Sequence, residues 1–139
     1  MLERILRATF IGYMYGIENA VGSASQVASN IAGRVVGREI LKAYKESGFK
    51  GEVEEIPEML SLFGNLSLKR EDFGWLAEIS DCKICPKRVG GYQFEGTACP
   101  WPGILVGMLE EITGERFNIT TRLTPGEVCV VRIERKAED

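Results

Sequence analysis

Leu66-Ser67-Leu68-Lys69 and Trp75-Leu76-Ala77-Glu78-Ile79-Ser80 are the stretches that decide the fold class. In the first, Leu66 and Leu68 alternate with Ser67 and Lys69. In the second, Trp75, Ala77 and Ile79 alternate with Leu76, Glu78 and Ser80. A period of two puts one row of side chains on a core and the other toward water, so both read as strands, joined near Glu71-Asp72-Phe73-Gly74. Everything upstream follows a different period. Leu2, Ile5, Leu6, Phe10, Met14, Ile17 and Val21 recur in steps of three and four, which predicts a helix over 2–21. A second helix is expected from about 24 to 47, capped by Ser23 or Ser25, with an apolar face of Val27, Ile31, Val35, Leu41 and Tyr44. It also carries Ala24, Ala28, Ser29, Ala32, Gly33 and Gly37. Small side chains let another helix approach closely, either from this chain or from a second copy. Gly48 and Gly51 break the helix, and Pro57 opens a short one to Phe63.

Downstream of the two strands, Cys82 to Cys99 reads as loop, with Pro86, Gly90, Gly91 and Gly96. Pro100 and Pro102 introduce a helix over about 102–113, ended by Gly114. Phe117, Ile119 and Thr121 predict one further strand, and Val128 to Ile133 another, with Thr124-Pro125-Gly126-Glu127 as a turn nearby. The expected fold is α+β: N-terminal helices packed on a roughly four-stranded antiparallel sheet, with one late helix before the closing hairpin. It forms a single domain over 1–139, with a helical half of about 1–63 and a sheet and metal-site half of about 64–135.

The 139 residues are 45% apolar and 27% charged, ordinary for a globular chain able to bury its own core. A net charge of -3 and the absence of any long basic run argue against nucleic acid as a partner. The longest apolar stretch, Ile104 to Leu109, is far too short to span a bilayer. Glu3, Arg4 and Arg7 interrupt the N-terminal apolar residues, as in an amphipathic helix rather than a signal peptide. These features predict a cytoplasmic protein with reduced thiols and no membrane span.

The chain has four cysteines and no histidine. Without histidine there is no Ser-His-Asp triad and no ordinary neutral-pH proton shuttle. The cysteines fall as Cys82-x2-Cys85-x13-Cys99-x29-Cys129. Four thiolates satisfy one tetrahedral zinc. The Cys82-Lys83-Ile84-Cys85 spacing suits a tight turn facing one ion, and Lys83, Lys87 and Arg88 offset the negative charge. Cys99 precedes a helix N-terminus, which favours a thiolate. One structural zinc per chain, held by Cys82, Cys85, Cys99 and Cys129, is the expectation. An iron–sulfur cluster takes the same ligands. A three-cysteine site completed by water or Glu95, a redox pair, and cysteines packed simply as small hydrophobes remain alternatives.

Phe10, Tyr13, Met14 and Ile17 of the first helix, with Trp75, Phe94 and Trp101, make a candidate lining for a small-molecule pocket. Glu110-Glu111 and Glu54-Glu55 read as solvated charges. No catalytic residue and no Gly-rich nucleotide loop can be assigned.

Cys99-Pro100-Trp101-Pro102-Gly103-Ile104-Leu105-Val106-Gly107, Gly114-Glu115-Arg116-Phe117 and Gly126-Glu127-Val128-Cys129 together resemble the V4R domain, the 4-vinyl reductase or hydrocarbon-binding family. Its fold is related to that of vesicle-tethering complex subunits. The resemblance implies a structural zinc beside a pocket for a small hydrophobic molecule. It departs at Asn118-Ile119-Thr120-Thr121, where two of that family's zinc ligands are missing; Cys82 and Cys85 would replace them. The family's phenol-contacting histidine has no counterpart. The expected function is therefore non-enzymatic: a homodimeric sensor or carrier of a small hydrophobic ligand on a zinc-stabilised scaffold. The alternatives are an interaction module of the tethering-subunit type, and a reductase-like or redox enzyme.

Overall fold

The computed structural model describes residues 1–85, 99–118, 122–124 and 126–137. The chain runs α1 (Leu2–Val21), a 3-10 turn Gly22–Ala24, α2 (Ser25–Glu46), a second 3-10 turn Val53–Glu55 and the single-turn α3 (Ile56–Met59). Then come β1 (Asn65–Glu71), β2 (Gly74–Ser80), α4 (Trp101–Thr113), β3 (Arg122–Thr124) and β4 (Cys129–Glu134). The α+β class holds. β1, β2 and β4 are full strands, and the three-residue β3 adds to the far edge of β4, giving the antiparallel order β1-β2-β4-β3.

The register explains the core. Leu66 lies opposite Ile79, which lies opposite Cys129; Leu68, Ala77 and Val131 form the next row. Arg70, Trp75 and Ile133 follow. Ala77, Ile79, Val131 and Ile133 are buried, so one sheet face meets the helices. The β1–β2 hairpin closes with Glu71 opposite Gly74, whose φ of 147° brings it against the Ile133 carbonyl of β4.

α4 is the centre of the molecule. Every residue from Trp101 to Leu109 is buried, with the sheet on one side and α2 on the other. α1 and α2 are therefore layered on α4 rather than on the sheet, where the sequence suggested they would lie, while the single-turn α3 meets β1 directly. α2 packs along α4, and α1 packs on α2. Contact between α2 and α4 is backbone to backbone. A Cβ on Gly33 would stand 2.8 Å from the Ile104 nitrogen, and one on Gly37 would overlap the Ile104 carbonyl oxygen. Reciprocally, Gly103 and Gly107 lie against the Asn30 and Arg34 carbonyls. The small-residue stripe of α2 is thus an intramolecular seam.

This seam reverses the expected face over the first half of α2, whereas Leu41 is buried and Tyr44 packs on the core as expected. The buried residues are Ser25, Ser29, Asn30, Gly33, Gly37 and Leu41, while Val27, Ile31 and Val35 stand 42%, 53% and 58% exposed. Backbones this close leave room only for small side chains, so proximity rather than hydrophobicity decides which face is inside. The N-cap position of α2 is Ala24, which makes no side-chain cap bond, and the helix itself begins at Ser25. Gly114 does end α4, in the left-handed conformation (φ 74°), its N–H donating to the Glu110 carbonyl.

Glu110 is not solvated. Its Oε1 accepts from Arg34 Nε at 3.2 Å and from the same guanidinium's Nη2, with Arg38 Nη2 at 3.7 Å. Its Oε2 accepts from the Phe117 N–H at 3.1 Å. One carboxylate thereby ties α2, α4 and the start of the closing segment together. Glu111, one residue on, is exposed.

Of the residues that predict the third strand, only Phe117 is among the described ones. Phe117 makes an isolated bridge with Arg135, and the strand beside β4 begins at Arg122. Ile119 and Thr121, residues 86–98 of the predicted loop with Phe94 and Glu95, and Pro125 of the predicted turn lie outside the described residues. No helix is long and apolar enough to cross a membrane, among the described residues.

Candidate functional site

Two adjoining features stand out. The first is an apolar cleft of about 600 Å³ between α1, α2, α3 and the segment that follows α3. α1 contributes Phe10, Tyr13, Met14 and Ile17, all four of which the sequence reading had placed in a pocket. α2 supplies Ala32, Val36, Ile40 and Tyr44, a row at intervals of four. That row has the helical spacing of a face, and of its four residues only Tyr44 belongs to the apolar face expected from the sequence. Met59, Phe63 and Ile84 close the inner end. The other predicted lining residues go elsewhere. Trp75 and Trp101 belong to the buried central core. Phe94 lies outside the described residues.

α1 is anchored beside the cleft by a few contacts. Ile11 and Met14 are buried, and Ser29 Oγ lies 3.6 Å from Met14 Sδ. Phe10 meets Phe63 at 6.1 Å between ring centroids. At the N-terminal end Leu2, Ile5 and Leu6 remain exposed, so α1 is fastened along one side and near its middle only. Polar groups at the cleft are few: the tyrosine hydroxyls, Thr9, and the Glu3–Arg7 pair at one end. Such a lining selects for shape and apolar surface, with one or two polar handles.

The second feature is the cysteines. Three separated segments carry them together. The β2–β4 register sets Ile79 opposite Cys129, so the chain leaving β2 reaches Cys82 next to the start of β4. Asp81, with φ of 50°, turns the chain there, and Gly64 packs against the Cys82 backbone, where a Cβ would stand 3.2 Å from its Cα. Cys99 sits before α4 and is gripped by Gln26 of α2. The Gln26 amide accepts from the Cys99 N–H and donates to the Cys99 carbonyl, both at 2.8 Å, while also donating to Asn30 Oδ1 at 2.9 Å. Nothing in the sequence marked Gln26, because the partner lies 73 residues away.

Trp101 Nε1 donates to Cys82 Sγ at 3.2 Å, and Cys129 Sγ donates to the Gly126 carbonyl at 3.5 Å. Burial pushes the Cys99 thiol well up, and the nearby Cys82, Cys85 and Cys129 push it further. Cys82 is raised too, first by burial and then by Cys85, against the pull of its donors. All four cysteines are free thiols. Among the described residues no group of three or more acidic or cysteine side chains is already arranged to hold a metal ion.

The two features share a wall. Ile84, inside the Cys82–Cys85 turn, lines the cleft, and the Lys83 N–H donates to the Phe63 carbonyl at 2.8 Å. Trp101 stacks edge-on against Phe63 at 6.4 Å.

Residues 15–135 match the model of the MJ0207 family. The chain belongs to that family. It is 33% identical over 132 residues, 93% of its length and 87% of the relative's, to the uncharacterized protein MJ0207 of Methanocaldococcus jannaschii. A second protein of that organism, the uncharacterized protein MJ1342, is 33% identical over 60% of the chain and 76% of its own length. No solved structure matches. Membership of this family overturns the V4R resemblance. The motif that suggested V4R has a local cause here: Gly103 and Gly107 are where α4 must meet the α2 backbone, a demand any two closely packed helices share.

Proposed function

We propose that the protein is a non-enzymatic binding domain, a sensor or carrier, that takes a small hydrophobic molecule into the cleft between α1 and α2. The observation that supports this most is the cleft itself: about 600 Å³, with Phe10, Met14, Val36, Ile40 and Ile84 around it and few polar groups. That volume lies in the ordinary range of small-molecule sites, roughly 300–1,000 Å³. No histidine is present to move protons at neutral pH, which suits binding better than chemistry.

The test is titration with the neutral fluorophore N-phenyl-1-naphthylamine, for the wild-type chain and for Ala32→Phe. Ala32 lines the cleft from α2, so a phenyl ring there occupies the space directly. The expected result is a bright, saturable signal in the wild type and affinity at least about tenfold weaker, roughly 1.4 kcal/mol, in the variant. Equal binding by both proteins would sink the reading.

A second reading is assembly through a second copy of the chain, in a cytoplasmic setting. It is favoured by the outward row Val27, Ile31 and Val35 on α2 and by Leu2, Ile5 and Leu6 on α1, all exposed. Analytical ultracentrifugation decides it: a dimer that Ile31→Lys converts to monomer supports it, and a wild-type monomer at high concentration excludes it.

A further inference from the structure

We infer that Cys82, Cys85, Cys99 and Cys129 jointly bind one zinc ion per chain through four thiolates. The inference is independent of what the cleft binds. Its first support is placement. The β2 exit, the start of α4 and the start of β4 are distant in sequence, and each brings cysteine to the same corner of the fold. The Trp101 indole, two residues past Cys99, reaches Cys82 Sγ at 3.2 Å, and the β2–β4 register sets Cys129 beside Ile79, three residues before Cys82.

The second support is a donor on sulfur. A thiol sulfur is a weak acceptor, whereas a thiolate is a strong one. Cys82 Sγ nevertheless receives the Trp101 indole N–H at 3.2 Å. A donor aimed at sulfur matches a ligand that carries negative charge, as a coordinated thiolate does. Gln26 adds a backbone clamp that fixes where Cys99 begins α4.

The third support is the ligand chemistry. Cys82, Cys85, Cys99 and Cys129 are all free thiols, and each gives its proton to solvent on binding a metal ion. An all-sulfur set with no histidine or carboxylate selects a soft, tetrahedral ion, which excludes magnesium and calcium. Zinc draws the four sulfurs in to about 2.3 Å. Because Ile84 lies within the turn, the metal also fixes one wall of the cleft.

The experiment uses the full chain, stripped with chelator under reducing conditions and shown to remain folded by circular dichroism. It is titrated with Co²⁺, then with Zn²⁺. The expected result is a thiolate-to-cobalt charge-transfer band with tetrahedral d–d absorption that saturates at one equivalent and is bleached by one equivalent of zinc. All four thiols should react with Ellman's reagent before zinc and none after it. Cys129→Ser should lower the charge-transfer intensity and weaken zinc binding at least about a hundredfold. Gln26→Ala should keep the stoichiometry but lose about tenfold in affinity, as outer-shell changes commonly do. A folded wild-type chain that gives no charge-transfer band overturns the inference, as does a Cys129→Ser protein that binds zinc as tightly as wild type. An iron–sulfur chromophore in anaerobically prepared protein overturns the assignment to zinc.

Discussion

Gly37→Ala lowers the stability of the protein by about 3 kcal/mol or more, at the upper end of what overpacking costs. The added methyl overlaps the Ile104 carbonyl oxygen, and the obstacle is backbone. No rotamer change relieves it, so α2 and α4 must separate, and α4 is the buried centre of the fold. Gly103→Ala should behave alike, because its Cβ would meet the Asn30 carbonyl from the other side of the seam. Gly16→Ala is the control. Nothing lies within 4 Å of a Cβ at that position of α1. It should gain about 0.5–1 kcal/mol from helix propensity. Urea melts of the three variants check this, read as shifts in midpoint at constant slope. A Gly37→Ala midpoint within error of wild type would show that the two helices do not approach as described.

Trp101→Ala should cost about 3–5 kcal/mol, the usual range for emptying a large aromatic site. Trp101 is 1% exposed and makes three separate connections. It opens α4 and stacks on Phe63 at 6.4 Å, and its Nε1 donates to Cys82 Sγ at 3.2 Å. Trp101→Phe separates these roles. It keeps most of the apolar volume and the edge-on contact while removing the hydrogen bond to sulfur. Its expected loss is about 1–2 kcal/mol, combining one hydrogen bond and a small void. Thermal or urea unfolding of the pair gives both values. A Phe variant as damaged as the Ala variant would mean that the sulfur contact, not packing, dominates.

Part of this was legible in the residues. The α1 range of 2–21 and the β1–β2 hairpin follow from strong local periods, and Gly114 ends α4 because its position needs a left-handed backbone. The pocket residues Phe10, Tyr13, Met14 and Ile17 lie on the helix face their spacing predicts. Trp75 and Trp101 were misplaced because an aromatic side chain carries no sign of whether its surroundings are core or cleft. The buried face of α2 was misread for a related reason: Val27, Ile31 and Val35 are more apolar than Ser29, Gly33 and Gly37, yet they face out.

The sequence by itself determined the periods, the breaks and the chemistry available: helices then strands, four thiols, no histidine, and a small-residue stripe with no stated partner. Only the tertiary structure decided which elements meet. It set α4 rather than a second chain against Gly33 and Gly37, and it buried Glu110 between Arg34, Arg38 and Phe117. It also brought Gln26 to Cys99 across 73 residues. The physical reason is that local periodicity fixes the direction a side chain leaves its own backbone, whereas burial, pairing and charge are set by the neighbour that arrives there. For α2 and the cysteine corner, that neighbour comes from the far end of the chain.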